Sequence, residues 1–390
     1  MKVLVLTTSF PLNRADLSGK PILLQAKGLV ERGFSMEVLA PHHEGAKSIE
    51  MLDGVKVTRF RYAPAGLEKV CYGAGLPDNV KQTLVAKIMS PPFLLAFLFS
   101  AVLKAKKFDL IHANWSVIPG FIGVICKLLY KKPLIVTVRG GDLEQNFLFF
   151  TINKFVFGRA DYVIGVNSEY VRKARSLGAR KNKSLVIYSE VGINERLLKL
   201  PIQKTFSGNL LFVSRLVPCK NLKFVLEALE QVKHKKPPLR LTVVGDGTER
   251  ESLEKFCKEK GLSGIVSFEG KKPHGDVFNY LKEADVFVLP QIAEGVGVSL
   301  LEAMAAGVPT ISGKVKGIED VIIEGKTGLL VSPKDRRQLE AAILSLVDDN
   351  SERFRIAQNA RNLIKERYRD QRQIDRIVEI YNKLSKVQRS

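Results

Sequence analysis

Short runs of β-branched and other apolar residues alternate with stretches of helical periodicity along almost the whole chain, and the alternation occurs twice. Strand, helix and strand in that order bring successive strands together in parallel, since parallel neighbours need a crossover connection. In the first half the strand-like runs are Val3–Leu6, Met36–Ala40, Val55–Phe60, Leu110–His112, Leu134–Val138, Tyr162–Val166 and Leu185–Tyr188. In the second they are Leu210–Val213, Leu239–Val244, Ile265–Glu269, Val286–Leu289, Thr310–Ser312 and Gly328–Val331. A polar, turn-rich stretch from Glu195 to Asn209, containing Pro201, Lys204, Ser207 and Gly208, separates them. The pattern predicts an α/β chain of two Rossmann-like, doubly wound domains, residues 1–200 and 201–369, and 390 residues suffice for two sizeable cores. Ligands of such sheets sit at the carboxyl ends of the strands, so two sheets facing each other would surround one cleft with strand-end loops.

Composition narrows the class. Four cysteines, Cys71, Cys126, Cys219 and Cys257, lie far apart with no C-x-x-C pair, which favours a reducing compartment over a disulfide framework or zinc. The start, Met1-Lys2 followed by Val3–Leu6, reads as a strand rather than a signal peptide, and a cytoplasmic location is expected. The apolar run Phe93–Leu103 falls short of the roughly 18 residues that suggest a span and follows Pro91-Pro92, so lying on a membrane is expected rather than crossing it. Net charge is +21, of which residues 1–200 carry +14 through 29 basic and 15 acidic side chains. Clusters at Lys104, Lys106 and Lys107, at Lys131-Lys132 and between Arg172 and Lys183 suit an anionic bilayer, an anionic glycan or nucleic acid. Nucleic acid is disfavoured, because the cations form no recognition module and no RNP-like interleaving with aromatics.

The most informative segment follows the run Val286–Pro290: Glu294-Gly295-Val296-Gly297-Val298-Ser299-Leu300-Leu301-Glu302-Ala303-Met304-Ala305. Two carboxylates eight residues apart bracket a glycine turn into a helix. One can reach sugar hydroxyls, the other ribose hydroxyls, and the amides around Gly297, Val298 and Ser299 can face a diphosphate. Ser299 and Glu302 also fit a capping box, but capping leaves Glu294 and the glycines unexplained.

Other strand ends add polar groups. Arg215 and Lys220 follow the first strand of the second half, the guanidinium able to fork phosphate oxygens and the ammonium to add a point charge. Gly245-Asp246-Gly247 is a strand-end turn without the third glycine of a dinucleotide fingerprint. In the first half, Gly19 lies in the loop before a helix and can bring amides to a phosphate. His112-Ala113-Asn114-Trp115 and Arg139-Gly140-Gly141-Asp142 end two further strands, offering an imidazole, an amide, an aromatic face, a guanidinium and a carboxylate.

These residues resemble glycosyltransferase family 4, retaining nucleotide-sugar-dependent enzymes of GT-B architecture. The resemblance is carried by the double-Glu segment, Arg215 and Lys220, Gly245-Asp246-Gly247, Lys326-Thr327-Gly328-Leu329-Leu330-Val331, His112–Trp115 and Arg139–Asp142. It implies two domains facing across a cleft, with a final helix, about residues 370–388, returning to the first. It implies a donor site with Glu302 on the ribose, Glu294 on the sugar, Arg215 and Lys220 on the diphosphate and Gly297–Ser299 on the distal phosphate. The catalytic group would be His112, Glu294, Arg215 and Lys220, with Gly19 and Gly245 at the donor and Asn114, Trp115, Arg139 and Asp142 toward the acceptor. No cofactor and no obligatory metal are expected. The donor would be a UDP-sugar, with GDP-mannose next, and the acceptor a glycan or lipid-linked saccharide met at the inner membrane face. The chain departs from the family pattern at Val296, where Phe is usual, at Lys316-Gly317-Ile318-Glu319-Asp320, and at Arg139, where many relatives have His. A catalytically silent GT-B scaffold and a basic nucleic-acid-binding protein are the alternatives.

Overall fold

The computed structural model describes the chain except residues 14, 15, 17, 74, 141, 142, 144–146, 189–192, 194, 204, 235–237, 274, 293–295, 369 and 388–390. Glu294, Gly295, Gly141, Asp142 and Lys204 therefore lie outside the described residues. The chain divides into two compact units, Met1–Gly192 with Asp370–Ser390, and Ile193–Arg369.

The first unit holds strands β1 Lys2–Leu6, β2 Ser35–Pro41, β3 Ile49–Leu52, β4 Val55–Phe60, β5 Leu110–Asn114, β6 Leu134–Val138, β7 Tyr162–Gly165 and β8 Ser184–Val186. Its helices are α1 Lys20–Glu31, α2 Leu76–Gln82, α3 Leu84–Ala105, α4 Phe121–Tyr130, α5 Phe147–Arg159 and α6 Ser168–Ser176. The second unit holds α7 Leu222–Val232, α8 Arg250–Glu259, α9 Val277–Glu283, α10 Val298–Ala306, α11 Arg336–Asp348 and α12 Asn350–Arg367. Its strands are β9 Asn209–Val213, β10 Arg240–Val244, β11 Val266–Gly270, β12 Val286–Leu289, β13 Thr310–Gly313 and β14 Leu329–Val331. A last helix, α13 Asp370–Val387, belongs to the first unit.

The first sheet runs β3-β4-β2-β1-β5-β6-β7-β8, parallel except for β3, which pairs antiparallel with β4. The run Ile49–Leu52 escapes the sequence reading because Ile49 and Met51 are exposed and only Leu52 at its end enters the core. Its signal is the turn: Asp53 and Gly54 both have positive φ, the geometry of a tight Asp-Gly hairpin. Period-two alternation builds the layers, since Val3 and Val5 enter the core beneath α1 and α13 while Leu4 and Leu6 enter the opposite core with Phe93, Phe97 and Val124. Helix α13 contributes one stripe, Ile374, Ile377, Tyr381 and Leu384, and a side chain at Gly28 of α1 would stand 2.0 Å from Ile374 Cδ1.

The second sheet is fully parallel in the order β11-β10-β9-β12-β13-β14. Counted within the unit this is 3-2-1-4-5-6, which reverses direction between β9 and β12. In the first sheet the reversal lies between β1 and β5. Helix α10 is interior, with Leu300 to Ala306 all buried, and stops at Gly307, whose φ of 70° lets Val308 N–H donate to Ala303 O at 2.9 Å.

Helix α3 corrects one expectation. Thr83 caps it by accepting from Ala86 N, and it continues through Pro91 and Pro92 to Ala105. Its 22 residues make it long and apolar enough, by length and composition, to cross a membrane. Its stripe Ala86, Phe93, Phe97, Ala101 and Ala105 is nonetheless buried against the sheet.

Candidate functional site

The reversal between β9 and β12 gathers the predicted cations. Lys220 ends a 3₁₀ turn after β9, and its Nζ donates to Gln291 Oε1, just past β12, at 2.9 Å. Ile292 N–H donates to Cys219 O at 2.9 Å. Asn221, left-handed at φ 61°, donates through Nδ2 to Pro290 O and Pro333 O, binding the ends of β12 and β14 into the same cluster. Arg215 is exposed and close enough to help lower the Lys220 pKa, although burial is the main cause. Neither Arg215 nor Lys220 forms an ion pair among the described residues. The half-buried ammonium of Lys220 thus has a neutral amide as its hydrogen-bond partner and no described carboxylate to balance its charge.

Gly245 and Gly247 fit this cluster for a reason the sequence reading did not give. A Cβ at Gly245 would stand 1.8 Å from Ser214 O, and one at Gly247 2.3 Å from Leu216 O. The close approach is thus to the backbone of the neighbouring loop, which Leu216 N–H→Asp246 O at 2.9 Å and Glu249 N–H→Leu216 O at 3.0 Å complete. The glycines shape the loop that carries Arg215.

Helix α10 begins beside Gln291. An ideal Cβ at Gly297 would lie 3.9 Å from Gln291 Oε1 and 3.8 Å from Ser299 Oγ. Gly297, which has no side chain to cap with, is the N-cap, so Ser299 is the second residue inside the helix and not its cap, and the capping-box reading fails. The amides of Val298 and Ser299 have no acceptor within the helix, as at any α-helix start. Glu302 is the one charged residue of α10 and only 5% exposed. A carboxylate amid buried alanines and leucines costs desolvation energy that packing alone does not require.

In the first unit, Asn114 and Arg139 meet at the carboxyl ends of β5 and β6, with Arg139 Nε donating to Asn114 Oδ1 at 2.7 Å. Gln25 of α1 lies 3.5 Å from Arg139 Nη2. Asn114 is fully buried and its Nδ2 has no acceptor among the described residues. Trp115 has φ 71°, a strained value for a bulky residue, and leads into a π-helical turn, Ser116–Gly120. Gly19 caps α1 with φ 68°, its α-carbon pressed on the Ser9–Phe10 backbone, where a Cβ would stand 2.5 Å from Ser9 O.

His112 is a correction. Its side chain lies in the core between β5 and α13, with Nδ1 2.7 Å from Tyr381 Oη and Nε2 2.7 Å from Thr137 Oγ1. Burial, aided by the Arg139 charge, pushes its pKa down to about 3. Both nitrogens are engaged and no solvent reaches them, so His112 braces α13 against the sheet instead of meeting a substrate. Strand β5 also continues two residues past His112, which places Asn114 at the strand end. Thr327 likewise serves internally: it is buried, and its Oγ1 donates to Val321 O and accepts from Ile323 N. A cavity of about 1390 Å³ opens near Met1, Asp109 and Pro133, at the amino-terminal edge of the first sheet, away from these groups.

Gln291, Asn221, Gln25 and Tyr381 were not singled out from sequence. For Gln291 the available signal was its position directly after a strand; the others act across 69 residues or more.

Comparisons with known proteins bear on the fold and the family. Residues 205–363 match the family model for glycosyl transferases group 1, and residues 19–189 that for a glycosyl transferase 4-like domain. An uncharacterized glycosyltransferase of Methanocaldococcus jannaschii is 26% identical over 267 residues, 68% of this chain and 72% of its own length. The N,N'-diacetylbacillosaminyl-diphospho-undecaprenol alpha-1,3-N-acetylgalactosaminyltransferase of Campylobacter jejuni is 28% identical over 373 residues, 88% of this chain and 92% of the relative. Among solved structures, sucrose-phosphate synthase from Thermosynechococcus elongatus superposes with a TM-score of 0.77 at 19% identity, covering 99% of both chains. Anabaena HepE in complex with UDP gives 0.74 at 20% identity, covering 98% of this chain and 100% of HepE. Fold, matched regions and relatives coincide: the chain belongs to the GT-B glycosyltransferases of the GT4 type and is a sugar-transferring enzyme.

Proposed function

We propose that the enzyme transfers a sugar, with retention, from a nucleoside-diphosphate sugar to a lipid-linked or polysaccharide acceptor. The observation that carries the donor assignment is the uncompensated Lys220, bonded to Gln291 next to the start of α10, with Arg215 near it. Two cations and a helix N-terminus together stabilise a diphosphate and the charge that grows on it as the glycosidic bond breaks. In this reading Glu302 accepts from the ribose hydroxyls, Glu294 orients the sugar, Gly297–Ser299 hold the distal phosphate, and residues 201–369 form the donor domain. Charge neutralisation falls to these residues without an obligatory metal. The first unit supplies the acceptor side through Asn114, Trp115, Arg139 and Asp142.

A UDP-sugar is favoured over GDP-mannose. Supporting this are the UDP complex of HepE and the N-acetylgalactosaminyl transfer onto a diphospho-undecaprenol compound named for the Campylobacter relative. A lipid-linked acceptor places the enzyme on the cytoplasmic side of a membrane, as a peripheral protein. The test is turnover with a panel of UDP- and GDP-sugars and short lipid-diphosphate saccharides, with the new anomeric configuration read by NMR. Transfer from a UDP-sugar with the donor's configuration kept supports the reading; inversion, or transfer only from GDP-sugars, overturns the corresponding part.

A further inference from the structure

Helices α3, α4 and α5 lie side by side over one face of the first sheet. Each buries one apolar stripe in the core beneath, as a sheet-covering helix must. Each also shows apolar side chains outward. On α3 the outward stripe is Leu84, Ile88, Leu95, Phe99 and Leu103, at helical spacing on the side away from Phe93 and Phe97. Leu128 and Leu129 are exposed near the carboxyl end of α4, and Phe147, Leu148 and Phe150 at the amino end of α5, with Phe147 87% exposed. Of 19 large apolar side chains exposed among the described residues, 13 lie on these three helices. So much outward apolar surface on three adjacent helices marks a partner.

Charge selects the partner. None of the three helices contains an Asp or Glu, and residues 79–141 hold nine Lys or Arg against one acid, Asp109. Lys87, Lys106, Lys107, Lys131 and Lys154 form no ion pair among the described residues. Because crossover helices run back against the strands, the carboxyl ends of α3, α4 and α5 gather at one edge of the sheet, where Lys106, Lys107, Lys131 and Lys132 make a basic rim. The amino-terminal tips, with Leu84, Phe121 and Phe147, lie toward the strand ends that hold Asn114 and Arg139.

We propose that the outer face of α3, α4 and α5 docks on an anionic lipid bilayer, the apolar stripe entering the interface and the lysine rim meeting acidic headgroups. Helix α3 lies in the membrane plane and does not cross, because its opposite stripe is fixed in the protein core. The assignment identifies the surface behind the lipid-linked-acceptor reading and rests on that reading only for its purpose: the apolar tips bring the acceptor-side strand ends to the lipid.

The experiment is flotation of the full-length protein with vesicles of phosphatidylcholine alone or rich in phosphatidylglycerol, at low and high salt. Wild type is expected to float with the anionic vesicles, less so in high salt. The exposed double variant Leu95→Glu/Phe99→Glu is expected to bind at least roughly tenfold more weakly, with unchanged thermal unfolding and unchanged turnover on a soluble acceptor. Lys106→Glu/Lys107→Glu is expected to lose roughly tenfold or more on anionic vesicles. Absence of flotation, equal flotation of all variants, or a lipid-free dimer that Leu95→Glu/Phe99→Glu dissociates would overturn the proposal, the last by making the occupant a second copy. Flotation needs no turnover, so an inactive enzyme that floats refutes the catalytic reading alone, and an active one that does not refutes the docking alone.

Discussion

The outer helices of the two units do the same job, covering a parallel sheet, and differ in what they turn to solvent. In the second unit α8 carries Arg250 between Asp246 and Glu254, and α12 pairs Arg355 with Glu352. Only Ile292, Val298 and Ile323 are large, apolar and exposed there among the described residues. In the first unit α3, α4 and α5 bear no acid and two apolar faces. A helix needs one apolar stripe to hold a sheet; a second is unexplained by folding and calls for a surface to meet it.

The strand ends contrast in the same way. In the second unit hydrogen bonds tie Lys220 to Gln291 and Asn221 to Pro290, and the Gly245 loop is held to the Leu216 backbone, so the cations stand on a fixed framework. In the first unit the deeper polar group, His112, serves cohesion. The largest predicted effect follows from this difference: Lys220→Ala should lower kcat/KM for donor by about a thousandfold without changing the melting temperature, as steady-state kinetics and calorimetry would show. An unchanged kcat/KM would remove the contrast.

Gly245→Ala tests whether the framework depends on the packing of the β9 and β10 loops. With Ser214 O in the way, we expect a loss of about 3 kcal/mol in denaturant unfolding and weaker nucleotide binding. Retained stability would mean that the loops yield easily.

His112 sharpens the comparison through pH. Above the ordinary value of 6.5 the imidazole is neutral in folded and unfolded chains alike. Below it, the unfolded chain takes up a proton that the folded chain, at about 3, refuses, so this contribution is lost progressively as pH falls from 6.5 toward 3. Near pH 5 the loss is about 2 kcal/mol. His112→Gln should remove that acid dependence while leaving turnover per folded molecule largely unchanged; a collapse of kcat would restore a catalytic role. The smallest effect is expected from Gln291→Ala, which frees Lys220 and should cost about tenfold in kcat/KM, read in the same kinetic assay.

Much of this was legible in the sequence where local pattern decides. The strands Val55–Phe60, Leu134–Val138 and Val286–Leu289 fall where their apolar runs do, and the spacing of two carboxylates around a glycine turn marked Glu302. Longer-range matters were not legible. The partner that buries His112 is Tyr381, 269 residues on. Gln291 holds Lys220 across 71 residues. Pro91-Pro92 concealed a helix that Thr83 begins eight residues earlier, because a proline break weighs against helix locally while tertiary packing of Phe93 and Phe97 outweighs it.

The central claim is that the second unit binds a nucleoside diphosphate at the reversal of its sheet. Calorimetric titration with UDP, GDP, ADP and NAD, on wild type and on Glu302→Ala, tests it most directly. The account predicts that wild type binds one nucleoside diphosphate, UDP above the others, and that Glu302→Ala loses it while remaining folded. Binding of NAD alone, or equal nucleotide binding by both proteins, would contradict it.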